Sequence, residues 1–307
     1  VICNPKELSD KELENITRAF IKKITPVIGP QQDIPAPDVY TNAKIMDIIV
    51  DEYSKQTSTP IEEARAVVTG KSIENGGSLG RDTATARGGQ FVLQKAIEQT
   101  QIISTLKNAT IIIQGIGNAG SNFAKLISED NSKIIAISDS KNAIYNQEGL
   151  DIKSVLEHKK QNGNLQDIPN TTTITNQELL ELECDILVPA ALANQITEKN
   201  AEQIKAKIIL ELANGPTTPE ADKILESKNI LILPDILANA GGVTVSYYEW
   251  YQNINKESWT AEEVDKKLKE KMFNATQEIL NKKTKHQTST RIAAYINAIE
   301  RLAQKIN

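Results

Sequence analysis

Three glycines in this sequence have the spacing of a turn that binds phosphate groups. Gly115, Gly117 and Gly120 form a Gly-x-Gly-x-x-Gly pattern directly after an apolar run. The first glycine permits a tight turn after a strand, the second lets a pyrophosphate approach the backbone, and the third allows close helix–strand packing. The following helix would direct its free N–H groups at the phosphates. The turn, which includes Asn118 and Ala119, predicts dinucleotide binding; the alternative is a glycine turn needed only for packing.

Asp139 lies at the end of the next apolar run, about 20 residues beyond the turn. A carboxylate at this place can accept hydrogen bonds from the hydroxyls of the adenosine ribose. It favours NAD, because the 2′-phosphate of NADP would meet a negative charge. Ser140 and Lys141 follow and could accept a phosphate, so NADP is an alternative cofactor.

Asp38 is a candidate proton carrier because two prolines, Pro35 and Pro37, restrict the backbone before it. General acid–base catalysis needs a carboxylate in a fixed position. Asp38 could instead cap the next helix or form an Asx-turn. Spacing alone favours this second interpretation.

A third candidate segment, residues 237–246, follows the apolar run at residues 230–233. It would lie at the carboxyl edge of a sheet, where ligands bind in open α/β folds. Asn239 could bond an amide or a carboxylate, and Gly241 and Gly242 would let a ligand approach. By itself the segment is equally well a turn before a helix. His158 and His286 have no partners at metal-ligand spacing, so we predict no metal site.

Short, uniformly apolar runs predict the elements that position these residues. Such runs, separated by helical or polar segments, are typical of parallel strands covered on both faces. They occur at residues 111–113, 134–137, 186–188, 208–210 and 230–233. The predicted fold class is therefore α/β, with a doubly wound, Rossmann-like cofactor domain.

Helices are predicted at both ends of the chain. Ser9 and Glu12 form a capping box before the first helix, and a second helix is expected to begin near Asn42. A closing helix places Ile292, Ile296, Ile299 and Leu302 on one stripe.

The bulk composition excludes several classes of protein. The chain has 307 residues and a net charge of -5, which argues against nucleic-acid binding because phosphate backbones need a basic face. No apolar run approaches the ~20 residues that span a bilayer, so we expect no membrane partner. Cys3 and Cys184 form no redox or metal motif, and a reducing cytoplasm is the simplest location.

The combination of motifs resembles the Glu/Leu/Phe/Val dehydrogenase family, and the likeness runs along the whole chain. The stretch Ser246-Tyr247-Tyr248-Glu249-Trp250-Tyr251-Gln252-Asn253 is similar to the branch that acts on glutamate. The other matching stretches are residues 33–39, 51–54, 69–71, 76–81, 84–85, 115–120, 214–218 and 239–243.

This resemblance implies roles for individual residues. Asp38 matches the catalytic aspartate, which relays protons to and from the substrate nitrogen while the α-carbon gives its hydride to the nicotinamide. Ser246 matches a serine that helps bind the side-chain carboxylate of glutamate, and Arg81 is expected to be structural. The remaining implied site residues are Thr85 and Asn118 at the nicotinamide carboxamide, Asn214 at the cofactor, and Asn239 and Val243 at the substrate and nicotinamide.

The sequence departs from the family in three places. The family's substrate-binding and catalytic lysines lie upstream of a segment like the one that begins at Val1, so the resemblance implies a chain without them that is inactive alone. Asn142 and Ala143 stand where glycines are frequent after the second strand. Leu212 replaces a usual glycine and could crowd the adenosine side of the pocket.

We therefore predict two domains and an amino-acid dehydrogenase. Residues 1–76, completed by 284–307, form the remnant of an α/β substrate (oligomerisation) domain, and residues 77–283 form the dinucleotide-binding domain. The expected reaction is the reversible oxidative deamination of L-glutamate to 2-oxoglutarate and ammonia, by a homohexamer when full length. The alternatives are a branched-chain amino-acid dehydrogenase and an inactive nucleotide-binding regulator.

Overall fold

The computed structural model describes residues 1–38 and 40–306. Val39, the last residue of the motif at residues 33–39, lies outside the described residues, as does Asn307. The chain divides into two compact units. Unit 1 comprises Val1–Asp82 and Gly242–Lys267, and unit 2 comprises Thr83–Gly241 and Leu268–Asn307.

Unit 1 begins with helices whose capping residues the sequence predicts. Helix α1 (Asp10–Ile24) starts at the predicted capping box, in which the Ser9 and Glu12 side chains and backbone N–H groups bond reciprocally. Helix α2 (Ala43–Thr57) is capped by the Asn42 side chain, which accepts from the Ile45 N–H. A short helix, α3 (Ile61–Ala64), follows. The apolar faces of these helices share one core, built from Ile21, Ile28, Met46, Ile49, Val50, Tyr53, Ala64, Val67 and Val68.

Unit 2 contains a seven-stranded sheet in the order β4-β3-β2-β1-β5-β6-β7. The strands are β1 (Thr110–Gln114), β2 (Lys133–Ser138), β3 (Ala143–Tyr145), β4 (Thr172–Ile174), β5 (Ile186–Pro189), β6 (Ile208–Leu210) and β7 (Leu231–Leu233). The five strands β2-β1-β5-β6-β7 are parallel, whereas β3 and β4 are antiparallel additions at one edge. All five predicted strand runs are thus confirmed, and the doubly wound α/β class with them.

The remaining helices begin and end as follows: α4 (Ala84–Thr100), α5 (Asn118–Glu129), α6 (Ile152–Asn162), α7 (Asn176–Glu181), α8 (Pro219–Ser227), α9 (Asp235–Ala238), α10 (Gly241–Asn255), α11 (Ala261–His286) and α12 (Thr290–Ile306). The strand order reverses at β1, since β2 lies on one side of it and β5 on the other. In open α/β sheets ligands bind at the carboxyl ends of the strands beside such a reversal. The glycine turn follows β1 and therefore lies at this place.

The bounds of the units differ from the predicted domain bounds. Residues 284–307 are predicted to complete the first domain, but α12 packs against β7 and α9 and lies in unit 2. Its buried face consists of Thr290, Ala293, Ala294 and Asn297, while Ile292, Ile299 and Leu302 of the predicted stripe are exposed. The buried face of α12 thus consists of two alanines and two polar side chains and differs from the predicted apolar stripe. The functional assignment of the two domains stays a prediction.

Among residues 1–38 and 40–306 we find no helix that combines the length and the apolar character needed to cross a bilayer.

Candidate functional site

The glycine turn has the strand–turn–helix geometry that phosphate binding requires. Gly115 adopts a φ of +100°, which L side chains rarely adopt, and Gly117 caps the start of α5. A Cβ on Gly120 would lie 1.9 Å from the carbonyl oxygen of Gly115, so only glycine lets the helix come this close. A Cβ on Gly117 would meet no atom within 4 Å, which leaves open space above the backbone. The backbone of the turn is therefore open to a ligand on this side.

Asp139 is buried and already accepts three hydrogen bonds. One carboxylate oxygen accepts from the Lys141 and Asn142 N–H groups at 2.8 and 3.1 Å, and the other accepts from Lys159 Nζ at 2.5 Å. Burial acts to raise the pKa of this carboxyl, but the hydrogen bond from Lys159 and the two backbone N–H groups outweigh it and lower the pKa. The predicted ribose carboxylate is therefore a charge-neutral pair with Lys159 of α6.

The residues after Asp139 differ in their exposure. Ser140 is exposed, while Ser138 is fully buried and its hydroxyl accepts from the Gly115 N–H at 3.2 Å. Asn142, the first departure from the family's glycines, is buried and its side-chain amide has no hydrogen-bond partner among the described residues. Ala143 opens strand β3. The bond between Gly115 and Ser138 ties the glycine turn to the end of β2.

Asn214 and Asn239 are brought together at the carboxyl ends of β6 and β7. The Asn239 Nδ2 donates to Asn214 Oδ1 at 2.7 Å. Gly241 lies close to α4, because a Cβ there would meet the Ala84 carbonyl oxygen at 2.2 Å. Thr85, partly buried, lies in the first turn of the same helix. Unit 2 thus holds every residue predicted at the cofactor except Val243, which lies in unit 1.

Leu212, expected to crowd the adenosine side, is buried against α4 instead. Its exposed fraction is 4%, and its Cδ2 atom fills the space where a Cβ on Gly89 would lie. The bulky side chain therefore has a packing partner in the core of unit 2.

Asp38 is exposed and lies on a loop that contacts the segment at residues 69–70. The Thr69 N–H donates to the Pro35 carbonyl at 3.1 Å. A Cβ on Gly70 would meet Pro37 Cγ at 2.5 Å, so the two chain segments are in close contact. Asp38 does not cap α2, since Asn42 does so. The helix-cap interpretation of Asp38 is therefore wrong.

Ser246 is buried in the second turn of α10 and has a cationic partner. Its Oγ accepts from Arg81 Nε at 2.9 Å. Burial lowers the pKa of the Arg81 guanidinium, and the nearby Glu249 carboxylate acts to raise it. Arg81, expected to be structural only, thus contacts the predicted substrate serine, while Val243 is 69% exposed.

Glu249, one turn after Ser246, forms a fully buried ion pair with Lys71. Its carboxylate accepts from Lys71 Nζ at 2.5 Å and from the Gly70 N–H at 3.0 Å. Burial lowers the pKa of the Lys71 amine, and the Glu249 charge acts in the opposite direction. The pair fixes the segment that supports the Asp38 loop.

Sequence reasoning missed Lys159, Lys71, Glu249 and the contact of Arg81. Arg81 and Ser246 are 165 residues apart, and Lys71 and Glu249 are 178 residues apart. No local spacing reports such pairs; the one available signal is that Lys71 and Glu249 lie in stretches that resemble the family. The described side chains include no group of His, Cys, Asp and Glu arranged to hold a metal ion.

Comparison with known sequences finds two family matches. Residues 76–307 match the family described as Glutamate/Leucine/Phenylalanine/Valine dehydrogenase, and residues 1–55 match the one described as Glu/Leu/Phe/Val dehydrogenase, dimerisation domain.

Individual relatives are similar over almost the whole chain. The catabolic NAD-specific glutamate dehydrogenase RocG of Bacillus subtilis is 46% identical over 304 residues, which cover 99% of this chain and 70% of the relative. The NADP-specific glutamate dehydrogenase of Synechocystis is 44% identical over 318 residues, which cover 100% of this chain and 73% of the relative. The crystal structure of the hetero-hexameric glutamate dehydrogenase from Thermus thermophilus (Leu bound form) superimposes with a TM-score of 0.92 at 31% identity, covering 98% of this chain and 70% of that one.

Proposed function

This chain belongs to the Glu/Leu/Phe/Val dehydrogenase family, and from this membership we propose that it catalyses the reversible oxidative deamination of L-glutamate to 2-oxoglutarate and ammonia. The observation that carries the proposal is the identity of 44–48% with named glutamate dehydrogenases along nearly the whole chain. When bound, NAD would accept the hydride of the substrate α-carbon.

Unit 2 supplies the proposed cofactor residues. The open backbone at Gly117 and the free N–H groups of α5 would hold the pyrophosphate. Asn214 and Asn239, joined at 2.7 Å, would face the nicotinamide half together with Thr85 and Asn118. Asp139 favours the free ribose hydroxyl of NAD, and its pairing with Lys159 supports use of NADP as well.

Unit 1 supplies the proposed proton and substrate residues. Asp38 would take a proton from the substrate nitrogen and return one in the reverse direction, and its exposed position on a supported loop suits this task. Ser246, with Arg81 beside it, would bind the side-chain carboxylate of glutamate, and Val243 would line the pocket. A hydroxyl next to a guanidinium is a favourable environment for a carboxylate.

We further propose a homohexamer in the cytoplasm. The Thermus thermophilus structure is named a hetero-hexamer, and residues 1–55 match a family described as a dimerisation domain. Cys3 and Cys184 are both free thiols, in keeping with a reducing compartment.

The test is a steady-state assay of the full-length protein with glutamate or leucine and with NAD or NADP. We expect Asp38→Asn to reduce kcat about 10²- to 10⁴-fold and to leave NADH binding unchanged, because it removes only the proton carrier. Asp33→Asn, an exposed aspartate in the same loop, is the matched control and should keep its activity.

Three outcomes would contradict the proposal. Absence of glutamate-dependent reduction with retained NADH binding would favour an inactive nucleotide-binding regulator. A glutamate-to-leucine turnover ratio below one would favour a branched-chain dehydrogenase. Full activity of Asp38→Asn would remove Asp38 from the mechanism.

A further inference from the structure

Arg291, in the first turn of α12, binds three carboxylates at once. Its guanidinium donates to Asp222 at 2.5 and 3.1 Å, to Glu211 at 2.7 Å and to Asp235 at 3.1 Å. A cation near a helix N-terminus is opposed by the helix dipole. The carboxylates therefore account for an arginine at this position, where the helix alone would disfavour it.

Two of these carboxylates join the ends of neighbouring parallel strands. Glu211 directly follows β6, and its second oxygen accepts from the Asp235 N–H at 2.8 Å. Asp235 follows β7, and its second oxygen accepts from the Gly215 N–H at 2.8 Å. The loop at residues 211–215 and the segment at residues 235–239 are thus bonded to each other through side chains that Arg291 holds.

The same two segments carry Asn214 and Asn239. Asn214 immediately precedes Gly215, and Asn239 ends the short helix that begins at Asp235. Their side chains bond at 2.7 Å. The cluster of Arg291, Glu211, Asp222 and Asp235, which we call the arginine clamp, therefore joins the two segments that carry this asparagine pair.

The charge balance of the arginine clamp makes it sensitive to loss of the cation. Glu211 is fully buried, and burial raises the pKa of its carboxyl. The Arg291 guanidinium acts to lower this pKa. Without Arg291, three carboxylates would share the site with no cation among the clamp residues. Mutual repulsion would then separate the two segments. A lysine keeps the charge but has three donors on one nitrogen, so it cannot reproduce the four hydrogen bonds that the guanidinium fork of Arg291 makes.

We propose that Arg291 is a positioning residue for the nicotinamide cofactor, which holds Asn214 and Asn239 in the arrangement that binds it. The inference rests on the proposed function, because it takes these two asparagines to face the cofactor.

The experiment compares Arg291→Met and Arg291→Lys with Arg301→Met in the full-length protein. Arg301 lies on the same helix and also pairs with a glutamate, Glu278, but both side chains are about half exposed. NADH affinity is measured by fluorescence titration and folding by the thermal unfolding midpoint; KM is then measured separately for cofactor and glutamate. We expect Arg291→Met to raise the Kd for NADH at least tenfold, Arg291→Lys to recover part of this loss, and Arg301→Met to stay within twofold of the parent protein. The KM for the cofactor should rise more than the KM for glutamate, because Asn214 is assigned to the cofactor and Asn239 to both cofactor and substrate.

A folded Arg291→Met protein that binds NADH within twofold of the parent would overturn the proposal. If Arg291→Met does not fold, Arg291→Lys decides in its place, since an unchanged Kd in that variant contradicts a positioning role. Equal increases in both KM values would indicate a general structural role and also overturn it. If the parent protein itself binds no NADH, the proposed function fails. If the parent protein and all variants bind NADH equally well, only the positioning role of Arg291 fails.

Discussion

At Asp139, the neighbouring Lys159 changes the cofactor preference that the aspartate alone would predict. A lone aspartate after the second strand repels a 2′-phosphate and selects NAD. Here the carboxylate is paired with an amine at 2.5 Å, so the site carries both signs of charge next to the expected ribose. The amine can donate a hydrogen bond to a 2′-phosphate, and the carboxylate can accept one from a 2′-hydroxyl. We therefore expect this one pair to accommodate both cofactors.

We predict that single substitutions in this pair shift cofactor preference in opposite directions. Asp139→Asn should raise the ratio of kcat/KM for NADP to that for NAD about tenfold, which corresponds to about 1.4 kcal/mol. Lys159→Met should lower the ratio, because the phosphate loses its cation. Lys133→Met, which removes an ion pair with the exposed Glu148, is the control. Equal ratios in all proteins would contradict the prediction.

The partners of single residues were the part least accessible from sequence. The motif containing Asp139 is local, and its place at the end of a strand was predicted. Lys159 has no pattern that marks it, because α6 brings it to Asp139 only through the tertiary packing of unit 2. The same holds for Ser246 and Arg81, which are joined across 165 residues. Side-chain partners of this kind depend on the packing of whole elements, which residue types alone do not specify.

At the scale of elements, the strand–turn–helix unit from β1 to α5 uses its glycines for two different physical reasons. Gly120 is needed because backbone atoms touch there, and Gly117 leaves space that no protein atom fills. The apolar runs and the glycine spacing predicted this unit because all its determinants lie within a few residues. The orientation of α12 was not predicted, because an apolar stripe marks a helix face without showing which face meets the sheet.

We predict that alanine at these two glycines has separate effects. Gly120→Ala should lower the free energy of unfolding by about 3 kcal/mol, because its Cβ would overlap the Gly115 carbonyl oxygen. Gly117→Ala should lower the free energy of unfolding by no more than about 1 kcal/mol, the cost of alanine at a helix N-cap. It should weaken NADH binding at least tenfold, because its Cβ enters the proposed pyrophosphate space. Urea unfolding and NADH titration measure the two effects. Equal losses of stability in both variants would contradict this division.

At the scale of the whole molecule, paired carboxylates couple stability to pH. In Asp51, Asp139 and Asp185, burial acts to raise the carboxyl pKa, but hydrogen bonds from lysine or arginine side chains lower it below the ordinary value. A carboxyl whose pKa is lower in the folded state stabilises that state above its unfolded pKa, near 4, and loses this contribution as pH falls through the folded pKa. Glu211, whose pKa burial raises, acts in the opposite direction.

Among the described carboxyls, those with a lowered pKa outnumber Glu211, whose pKa is raised, so we predict that the free energy of unfolding decreases as pH falls from 5 to 2. Urea unfolding at a series of pH values measures the decrease. Lys207→Met should make the decrease smaller, because Asp185 loses the amine that bonds it at 2.7 Å. A free energy of unfolding that is the same at pH 3 and pH 7 would show that these pairs contribute nothing to stability.

The order of the sheet has one more consequence, which concerns how copies of the chain can associate. At one edge lies β4, only three residues long, with Pro169 and the left-handed Asn170 just before it. At the other edge, α12 packs against β7. Short strands, prolines and covering helices are the devices that keep sheet edges from pairing with foreign strands. Backbone hydrogen bonding between the sheets of two copies is thereby disfavoured, and we expect any assembly to be formed by side-chain packing on helical surfaces, leaving the sheet beneath the cofactor residues discrete in every subunit.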